Sequence, residues 1–319
     1  MKETGMERHG PAELVLAAAV ARRHYLSGQS KIQIADELGL SRFKVARLID
    51  FARDSGIVRI EIVADGELDL DRSAQLQECY GLRHAVVVDG GRLEPTALPE
   101  HLGAAAARLL SEVLTDSDVL GLPWSRSVDT MTRALRDLPP VDVVQLSGAM
   151  EVLGHDSSAV DIVRRAARAT GGGSTIFYAP LLLDDATGAA ALRREPQVAR
   201  ALGQAERVTT AVMGIGAWGA GMSTIFDAVT PADRESTREL GVVGELAGVF
   251  FDATGALVEP PLSERIVTIS PELLRGIREV VAIVSGAAKA EAVRAALAGG
   301  LVNAVVADAE LCDELLRPA

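Results

Sequence analysis

Residues 31–50 read KIQIADELGLSRFKVARLID, and this stretch decides the architecture of the N-terminal part of the chain. A helix-turn-helix needs apolar residues at fixed offsets, a small residue where its two helices cross, and a glycine at the turn, where φ is positive. Ala35 is the small residue and Gly39 stands at the turn. The apolar offsets are filled by Ile34, Leu38, Leu40, Val45 and Leu48. The stretch therefore predicts a helix-turn-helix.

The segments that flank this motif complete a small domain. Residues 11–27 place apolar side chains at helical spacing, which predicts a first helix. Ser30 and Ser41 can cap the two helices of the motif, and Gly56 ends the second of them. Residues 57–62 (IVRIEI) then alternate apolar and polar side chains, which predicts a strand. Residues 1–62 are therefore predicted to form a winged helix-turn-helix domain that binds double-stranded DNA.

The second helix of the motif is the predicted recognition helix, which would enter the major groove with its N-terminal residues. Its candidate contacts with base edges and phosphates, together with one cation on the predicted wing, are Ser41, Arg42, Phe43, Lys44, Arg47 and Arg59. Arginine can read guanine or contact phosphate, and the sequence leaves that choice open. The alternative is a three-helix scaffold with no role in DNA binding. The spacing of the motif, combined with Ser-Arg at the helix start, favours DNA binding.

The charge is distributed unevenly over the 319 residues. The net charge of −12 argues against a protein that coats nucleic acid along its whole length. Residues 1–62 nevertheless carry a net charge of +2, and residues 63–319 carry −14. This asymmetry fits a small DNA-reading head on an acidic body.

Composition excludes several classes of protein. Cys79 and Cys312 are far apart, so they offer neither a disulfide framework nor the spacing of metal ligands. No apolar run approaches the ~20 residues that a membrane span needs. We therefore expect a cytoplasmic protein with no metal, no cofactor and no membrane partner.

From His84 onward the pattern changes to short apolar strands that alternate with amphipathic helices. Residues 63–83 are predicted to form a linker and a connecting helix, and residues 84–319 an α/β domain. The candidate strands are 85–88, 119–122, 141–146, 175–178, 208–215, 249–251, 266–269, 280–284 and 304–306. The candidate helices include 97–114, 157–169, 195–205, 287–298 and 308–316. This alternation predicts a mostly parallel sheet covered on both faces.

Several segments, in order along nearly the whole chain, carry a resemblance to a known family. They include the head sequence 27–62, DVLGLPWSRSV (118–128), DVVQLSGAM (142–150), IFYAPLLL (176–183), AVMGIGAWG (211–219), GVVGELAGVFFDATG (241–255) and SGAAKAEAVRAALAGGLVNAVVAD (285–308). The chain thus resembles the SorC family of sugar-binding transcriptional regulators. The resemblance implies a winged helix-turn-helix followed by a Rossmann-like domain similar to the phosphosugar isomerase and CoA-transferase fold. It also implies a sugar or phosphosugar effector that controls operator binding, and a homodimer or homotetramer, whose paired heads predict a roughly palindromic operator.

Glycines and polar residues follow several predicted strands, where an open parallel sheet binds its ligands. The candidate effector residues are Ser125, Arg126, Ser127, Gln145, Ser147, Gly148, Gly214, Gly216, Glu245, Asp252 and Lys289. The alternative roles are ordinary: a capped turn at 125–127, simple turns at the glycines, and surface carboxylates at Glu245 and Asp252. Lys289 is the only lysine after residue 62, and it stands just after a strand, at a helix start where an anion would bind.

Two other functions remain possible from the sequence. One is a sugar-phosphate isomerase fused to a DNA-binding head, in which Lys289 could form an imine with an aldehyde. No nucleophile elbow, Walker motif or zinc motif supports an enzyme, so we expect no catalytic residues. The other is an interaction module that ignores small molecules. Relatives tend to have Gly-Arg-Thr at 125–127 and Gly-Asp at 244–245, so the identity of the effector stays open.

Overall fold

The computed structural model describes residues 10–59, 67–92, 94, 96–150 and 157–317, and the chain divides into two compact units, Met1–Val63 and Ala64–Ala319. The first unit holds α1 (Pro11–Tyr25), α2 (Lys31–Leu38) and α3 (Arg42–Asp54). Ser30 caps α2 in a reciprocal capping box with Gln33, and Gly39 ends this helix with a φ of 64°. The three helices enclose a small core of buried side chains, which includes Ala17, Val20, Ile34, Val45, Leu48 and Ile49. The predicted helices are thus formed.

The predicted wing strand is not formed at residues 57–59, and residues 60–62 lie outside the described part of the chain. Val58 donates its backbone N–H to the carbonyl of Ala52 over 2.8 Å, and its side chain packs against the core of the head. The residues after α3 therefore close the end of that helix instead of extending as a strand.

The second unit is built on a sheet covered by helices. Its strands are β1 (His84–Val88), β2 (Val119–Leu122), β3 (Asp142–Gln145), β4 (Ser174–Thr175), β5 (Thr210–Ala217), β6 (Val242–Leu246), β7 (Val249–Asp252), β8 (Leu257–Val258), β9 (Glu279–Val284) and β10 (Ala304–Asp308). Its helices are α4 (Leu70–Tyr80), α5 (Leu98–Val113), α6 (Arg126–Ala134), α7 (Ala159–Thr170), α8 (Ala186–Arg194), α9 (Pro196–Gly203), α10 (Thr224–Ala228), α11 (Pro231–Glu239), α12 (Pro271–Gly276), α13 (Ala290–Ala298) and α14 (Ala309–Leu316).

The main path of the sheet runs β1-β10-β9-β5-β2-β3-β4, and all neighbours along it are parallel. Side chains on successive residues of a strand point to opposite faces, and both faces are apolar. Val143 and Val281 pack with α5, α6 and α7 on one face, whereas Val144 and Ala282 pack with α4, α13 and α14 on the other. This arrangement confirms the predicted α/β class with helices on both faces of a parallel sheet.

An antiparallel extension, β6-β7-β8, leaves the main sheet at β5. The first residues of β5 pair with β9 as far as Gly214, and Ile215, Gly216 and Ala217 then pair with β6. Neither β6 nor β8 was among the candidate strands. The candidate strand 266–269 forms isolated bridges to Ser147 and Leu182 instead of a strand, because its neighbours each pair with it at a single residue. None of the helices in the described ranges is long and apolar enough to cross a bilayer.

Candidate functional site

A cavity of about 490 Å³ opens at the carboxyl ends of β2, β5 and β9, where the strand order along the sheet reverses. Among the described residues, three ionisable side chains line it: Arg126, Glu245 and Lys289. Its hydroxyl groups belong to Ser125, Ser127, Thr130, Ser223, Thr224 and Ser285. Its apolar wall includes Pro99, Leu102, Trp124, Met150, Met222 and Ile225. A mixture of hydroxyls, charges and apolar surface is what a small polar ligand requires.

The turn between β2 and α6 contributes one polar wall of the cavity. Ser125 is the N-cap residue of α6, but its side chain makes no capping hydrogen bond. The hydroxyl oxygens of Ser125 and Ser127 lie 3.0 Å apart and share a hydrogen bond instead. The first N–H groups of a helix have no intrahelical acceptor, so this end of α6 can receive an anion or a hydroxyl. Arg126 is exposed beside it.

Two glycines of β5 allow polar side chains to approach the strand closely. A Cβ at Gly214 would lie 2.7 Å from the Ser125 hydroxyl oxygen, and one at Gly216 would lie 2.0 Å from Oε1 of Glu245. Any larger residue would displace these groups. The glycines at 214 and 216 therefore shape the cavity by making room for the side chains that line it.

Glu245 lies on β6 and is buried, with 7% of its surface exposed. Oε1 accepts a hydrogen bond from the Ser223 hydroxyl and Oε2 accepts one from the Gly248 N–H, each over 3.0 Å. Burial raises the pKa of the Glu245 carboxyl, and these hydrogen bonds and the nearby Lys289 only partly oppose the effect. The cavity thus contains a carboxyl group that is held toward its neutral form.

Lys289 ends the short 3₁₀ turn 287–289 that follows β9. Its Nζ donates to the backbone carbonyl oxygen of Ile215 over 3.1 Å. Burial lowers the pKa of the Lys289 ammonium; Glu245 opposes this shift, and Arg126 adds to it. Within the described ranges, no carboxylate oxygen lies within 4 Å of this nitrogen.

The structure brings seven of the predicted effector residues to this cavity, and they are Ser125, Arg126, Ser127, Gly214, Gly216, Glu245 and Lys289. It does not bring the other four there. The Gln145 side chain is buried, where its amide donates to the Ser147 carbonyl and its oxygen accepts from the Phe177 N–H. The Ser147 hydroxyl accepts from the Trp124 N–H over 3.1 Å and so holds the turn before α6. These two side chains therefore hold the backbone next to the cavity and do not line the cavity themselves.

Gly148 and Asp252 also lie away from the cavity lining. A Cβ at Gly148 would come within 2.4 Å of the Pro180 carbonyl oxygen, so this glycine allows two segments of backbone to touch. Asp252 accepts hydrogen bonds from the N–H groups of Thr254 and Ala256, which closes the turn between β7 and β8. Asp252 is thus a carboxylate outside the cavity, in line with the alternative role that the sequence left open for it.

Ser223 is the most informative of the lining residues that were not predicted. It caps α10 by accepting the Phe226 N–H and donates its hydroxyl to Glu245. A serine that follows a glycine-rich stretch and precedes an apolar helix can be found from sequence as a cap. Its second hydrogen bond cannot be found in this way, because it joins residues that are 22 apart in the chain.

The recognition helix α3 presents a cationic surface. Ser41, Arg42, Phe43, Lys44 and Arg47 are all exposed, and the Phe43 ring is 82% exposed. The Ser41 hydroxyl caps the helix by accepting the Lys44 N–H over 3.2 Å. Arg59 is exposed in the segment after the helix. Across the described ranges, Arg42, Lys44 and Arg47 form no ion pair with a carboxylate, so their charges can meet phosphates.

Comparison with known proteins identifies the family. The family model described as "Putative sugar-binding domain" matches residues 65–317. The chain belongs to this family. It is similar to the transcriptional regulator LsrR of Escherichia coli K12, with 28% identity over 99% of both chains, and to the uncharacterized transcriptional regulator YjhU of the same organism, with 26% identity over 92% of both.

The solved structures support the same assignment. The full-length sorbitol operon regulator SorC from Klebsiella pneumoniae matches 96% of this chain and 100% of its own, with a TM-score of 0.71 and 24% identity. A domain of a possible sugar-binding transcriptional regulator from Arthrobacter aurescens matches with a TM-score of 0.69 and 26% identity, over 80% of this chain and 100% of its own. The predicted membership of the SorC family of sugar-binding regulators is confirmed, as is the predicted class, a transcriptional regulator with a sugar-binding domain.

Proposed function

We propose that α3 binds operator DNA and that the cavity of the second unit binds a small sugar, polyol or phosphosugar that changes the affinity of the protein for that operator. The observation that carries the proposal is the cavity itself, because its three charged groups and six hydroxyl-bearing residues surround a volume of about 490 Å³. That volume falls within the usual range of small-molecule sites, roughly 300–1,000 Å³.

The DNA contacts in this proposal come from the exposed surface of α3. Ser41, Arg42, Phe43, Lys44 and Arg47 occupy its N-terminal part, where a recognition helix meets base edges and phosphates. Arg59 is the further cation proposed to reach a phosphate. The proposed assembly is a homodimer or homotetramer in the cytoplasm, and its paired heads would read a roughly palindromic operator.

The effector contacts come from three walls of the cavity. The N-terminal end of α6, with Ser125, Arg126 and Ser127, suits a phosphate group or the hydroxyl groups of a sugar. Lys289, in the turn after β9, and Glu245, on β6, suit hydroxyl or carbonyl oxygens. Gly214 and Gly216 keep the floor of the cavity open. Gln145, Ser147, Gly148 and Asp252 act outside the cavity in this scheme.

We propose that the chain senses its ligand and does not turn it over. An isomerase needs a base that is free to take a proton from the substrate. Burial favours the protonated form of Glu245, and a protonated carboxyl cannot take a proton from a substrate carbon. Within the described ranges, no other carboxylate lines the cavity. Turnover of phosphosugars by the purified protein would contradict this part of the proposal.

The test is an operator mobility shift with promoter fragments from the protein's own locus, with and without a panel of sugars, polyols and sugar phosphates. Arg42→Ala should weaken operator binding by about tenfold or more, because a lost arginine contact costs ~1–3 kcal/mol. Arg53→Ala is the matched control, since Arg53 pairs with Asp50 near the other end of α3 and should leave binding unchanged. Failure to bind any fragment under every ligand condition would overturn the proposal.

A further inference from the structure

Lys289 is an unusual residue in this chain. It is the only lysine in residues 63–319, where every other cationic side chain apart from histidine is an arginine. Its amine lines the cavity and bonds to a carbonyl oxygen, and in the described part of the protein it has no carboxylate partner within 4 Å. Removing an ammonium from water without a paired carboxylate is costly, and a neutral amine in the same half-buried place costs less.

The carboxyl group of Glu245 and the amine of Lys289 both lie next to the same peptide unit, Ile215–Gly216. Nζ of Lys289 lies 3.1 Å from the carbonyl oxygen of Ile215, which belongs to the Ile215–Gly216 peptide. Oε1 of Glu245 lies against Gly216, within 2.0 Å of the place where a side chain would begin. An amine and a carboxyl group thus share one wall of a cavity rich in hydroxyls.

We propose that Lys289 captures the carbonyl carbon of an open-chain sugar as a reversible imine, with Glu245 as the proton donor. The inference rests on the proposed function, and it narrows the effector to an aldose, ketose or other small polyhydroxy carbonyl compound. Burial supports imine formation, because it favours the free amine at Lys289 and the protonated acid at Glu245. These are the forms that the reaction needs.

The reaction needs no oxidant, reductant or additional co-reactant. The nitrogen lone pair of Lys289 attacks the carbonyl carbon, and the carbonyl oxygen takes a proton from Glu245 to give a carbinolamine. The nitrogen then loses a proton to the Glu245 carboxylate, and Glu245 returns one to the departing hydroxyl. Water leaves as the carbon–nitrogen double bond forms, and hydrolysis by the same steps in reverse releases the sugar unchanged. Capture and release by these steps consume nothing but the water that capture sets free.

An anion bound to Lys289 is the competing explanation, and the cavity offers anions another place. Arg126 and the uncapped end of α6 lie on the β2 side, whereas Lys289 follows β9. A phosphorylated sugar could place its phosphate at α6 and its carbonyl group at Lys289. The two explanations differ in one observable: only the imine can be reduced to a stable covalent bond between the sugar and this lysine.

The experiment uses the full chain with D-glyceraldehyde and sodium cyanoborohydride at pH 7.4, followed by peptide mass mapping. An ordinary exposed lysine is deprotonated in about one molecule per thousand at that pH, so we expect Lys289 to react about tenfold or more faster than Lys31 and Lys44. Lys289→Arg should abolish labelling at that position, and Lys31→Arg should leave it intact. Equal labelling of all lysines, or no labelling at 289, would overturn the inference.

Glu245→Gln tests the role of the acid. We expect the rate of labelling at Lys289 to fall about tenfold or more, because an amide cannot donate the proton. A faster rate would overturn this role, since it would mean that a carboxylate had been stabilising the ammonium. Thermal melting of each variant establishes that it folds.

Operator mobility shifts on the same samples separate the two proposals. Selective labelling without operator binding under any ligand would leave the imine standing and overturn the proposed function. Operator binding that responds to sugars, without selective labelling, would do the reverse.

Discussion

Gly216 shows how one residue without a side chain determines the position of a carboxyl group. Oε1 of Glu245 occupies the space that a Cβ would need, and that carboxyl is itself buried and hydrogen-bonded. Gly216→Ala should therefore lower the free energy of unfolding by about 1–3 kcal/mol, as overpacking does in cores. Urea denaturation would measure it.

The matched control for this substitution is Gly203→Ala. Gly203 ends α9 with a φ of −64° and a ψ of −28°, and a Cβ there would meet no atom within 4 Å. Alanine fits a helix better than glycine does, so this variant should be neutral or more stable by up to about 1 kcal/mol. An equal loss of stability in both variants would contradict the explanation from close packing.

Asp118 provides a prediction about pH at the amino end of β2. Burial raises the pKa of its carboxyl, but hydrogen bonds from Thr209 and Thr115 and the charge of Arg278 outweigh this and lower the pKa from 3.8 to about 2. The carboxylate is bonded in the folded state, so its stabilisation is present above the unfolded value of 3.8 and is lost as the pH falls through 2.

Asp118→Asn should consequently lower the free energy of unfolding by about 2 kcal/mol at pH 7, since one pKa unit corresponds to ~1.4 kcal/mol. The difference between the variant and the native protein should shrink as the pH is lowered from 4 toward 2. Asp116→Asn, at an exposed position two residues away, should show no such difference. A gap that persists unchanged at pH 2 would refute the electrostatic origin.

Among the elements, those with strong local signals were predicted well from sequence. Serine caps and terminal glycines delimit α2 and α3, and runs of Val, Ile and Ala delimit the parallel strands. The antiparallel strands β6 and β8 were missed, because β6 contains Gly244 and Glu245 and β8 has two residues. Their strand character comes from pairing with β5 and β7, which a local pattern does not record.

The candidate site residues follow the same rule: their place along a strand is predictable from sequence, and their contacts with distant residues are not. Sequence places a residue at the end of a strand, and Ser125, Gly214 and Lys289, which follow or end strands, do line the cavity. It does not say which way a side chain points, so Gln145 and Ser147 were included although they face into the protein. Ser223 was missed because its role depends on contact with a distant strand.

The cap of α2 gives a prediction at the scale of an element. The Ser30 hydroxyl accepts the Gln33 N–H, and the Gln33 side chain accepts the Ser30 N–H. Ser30→Ala should destabilise this helix by about 1 kcal/mol. Amide hydrogen exchange over α2 in the full chain should then be about fivefold faster. Ser27→Ala, at an exposed position before the helix, is the control and should not change the exchange.

At the scale of the whole molecule, a signal from the cavity must reach the segment near Glu67, at the start of the second unit, before it can reach the first unit. Pro99 and Leu102 of α5 line the cavity, and between them His101 contacts the Glu67 carboxylate through Nδ1. The segment that begins at Glu67 is fixed to β1, because the Glu67 carbonyl accepts the Asp89 N–H over 2.7 Å and Leu68 bridges Val88. Glu67 follows Val63, the last residue of the first unit, by four positions in the chain.

A ligand that packs against Pro99 and Leu102 differently in two states of α5 will bias Glu67, and only such a difference in affinity can transmit a signal. Glu67→Gln should therefore leave sugar affinity unchanged, since Glu67 does not line the cavity, and should reduce the effect of the sugar on operator affinity. Couplings of this kind are worth ~1–3 kcal/mol, so the response should fall about fivefold or more. Sugar titrations of operator binding would measure it. Asp313→Asn is the control, because it removes a carboxylate that is paired with Arg72, and it should keep the full response. An undiminished response in Glu67→Gln would show that the signal takes another route.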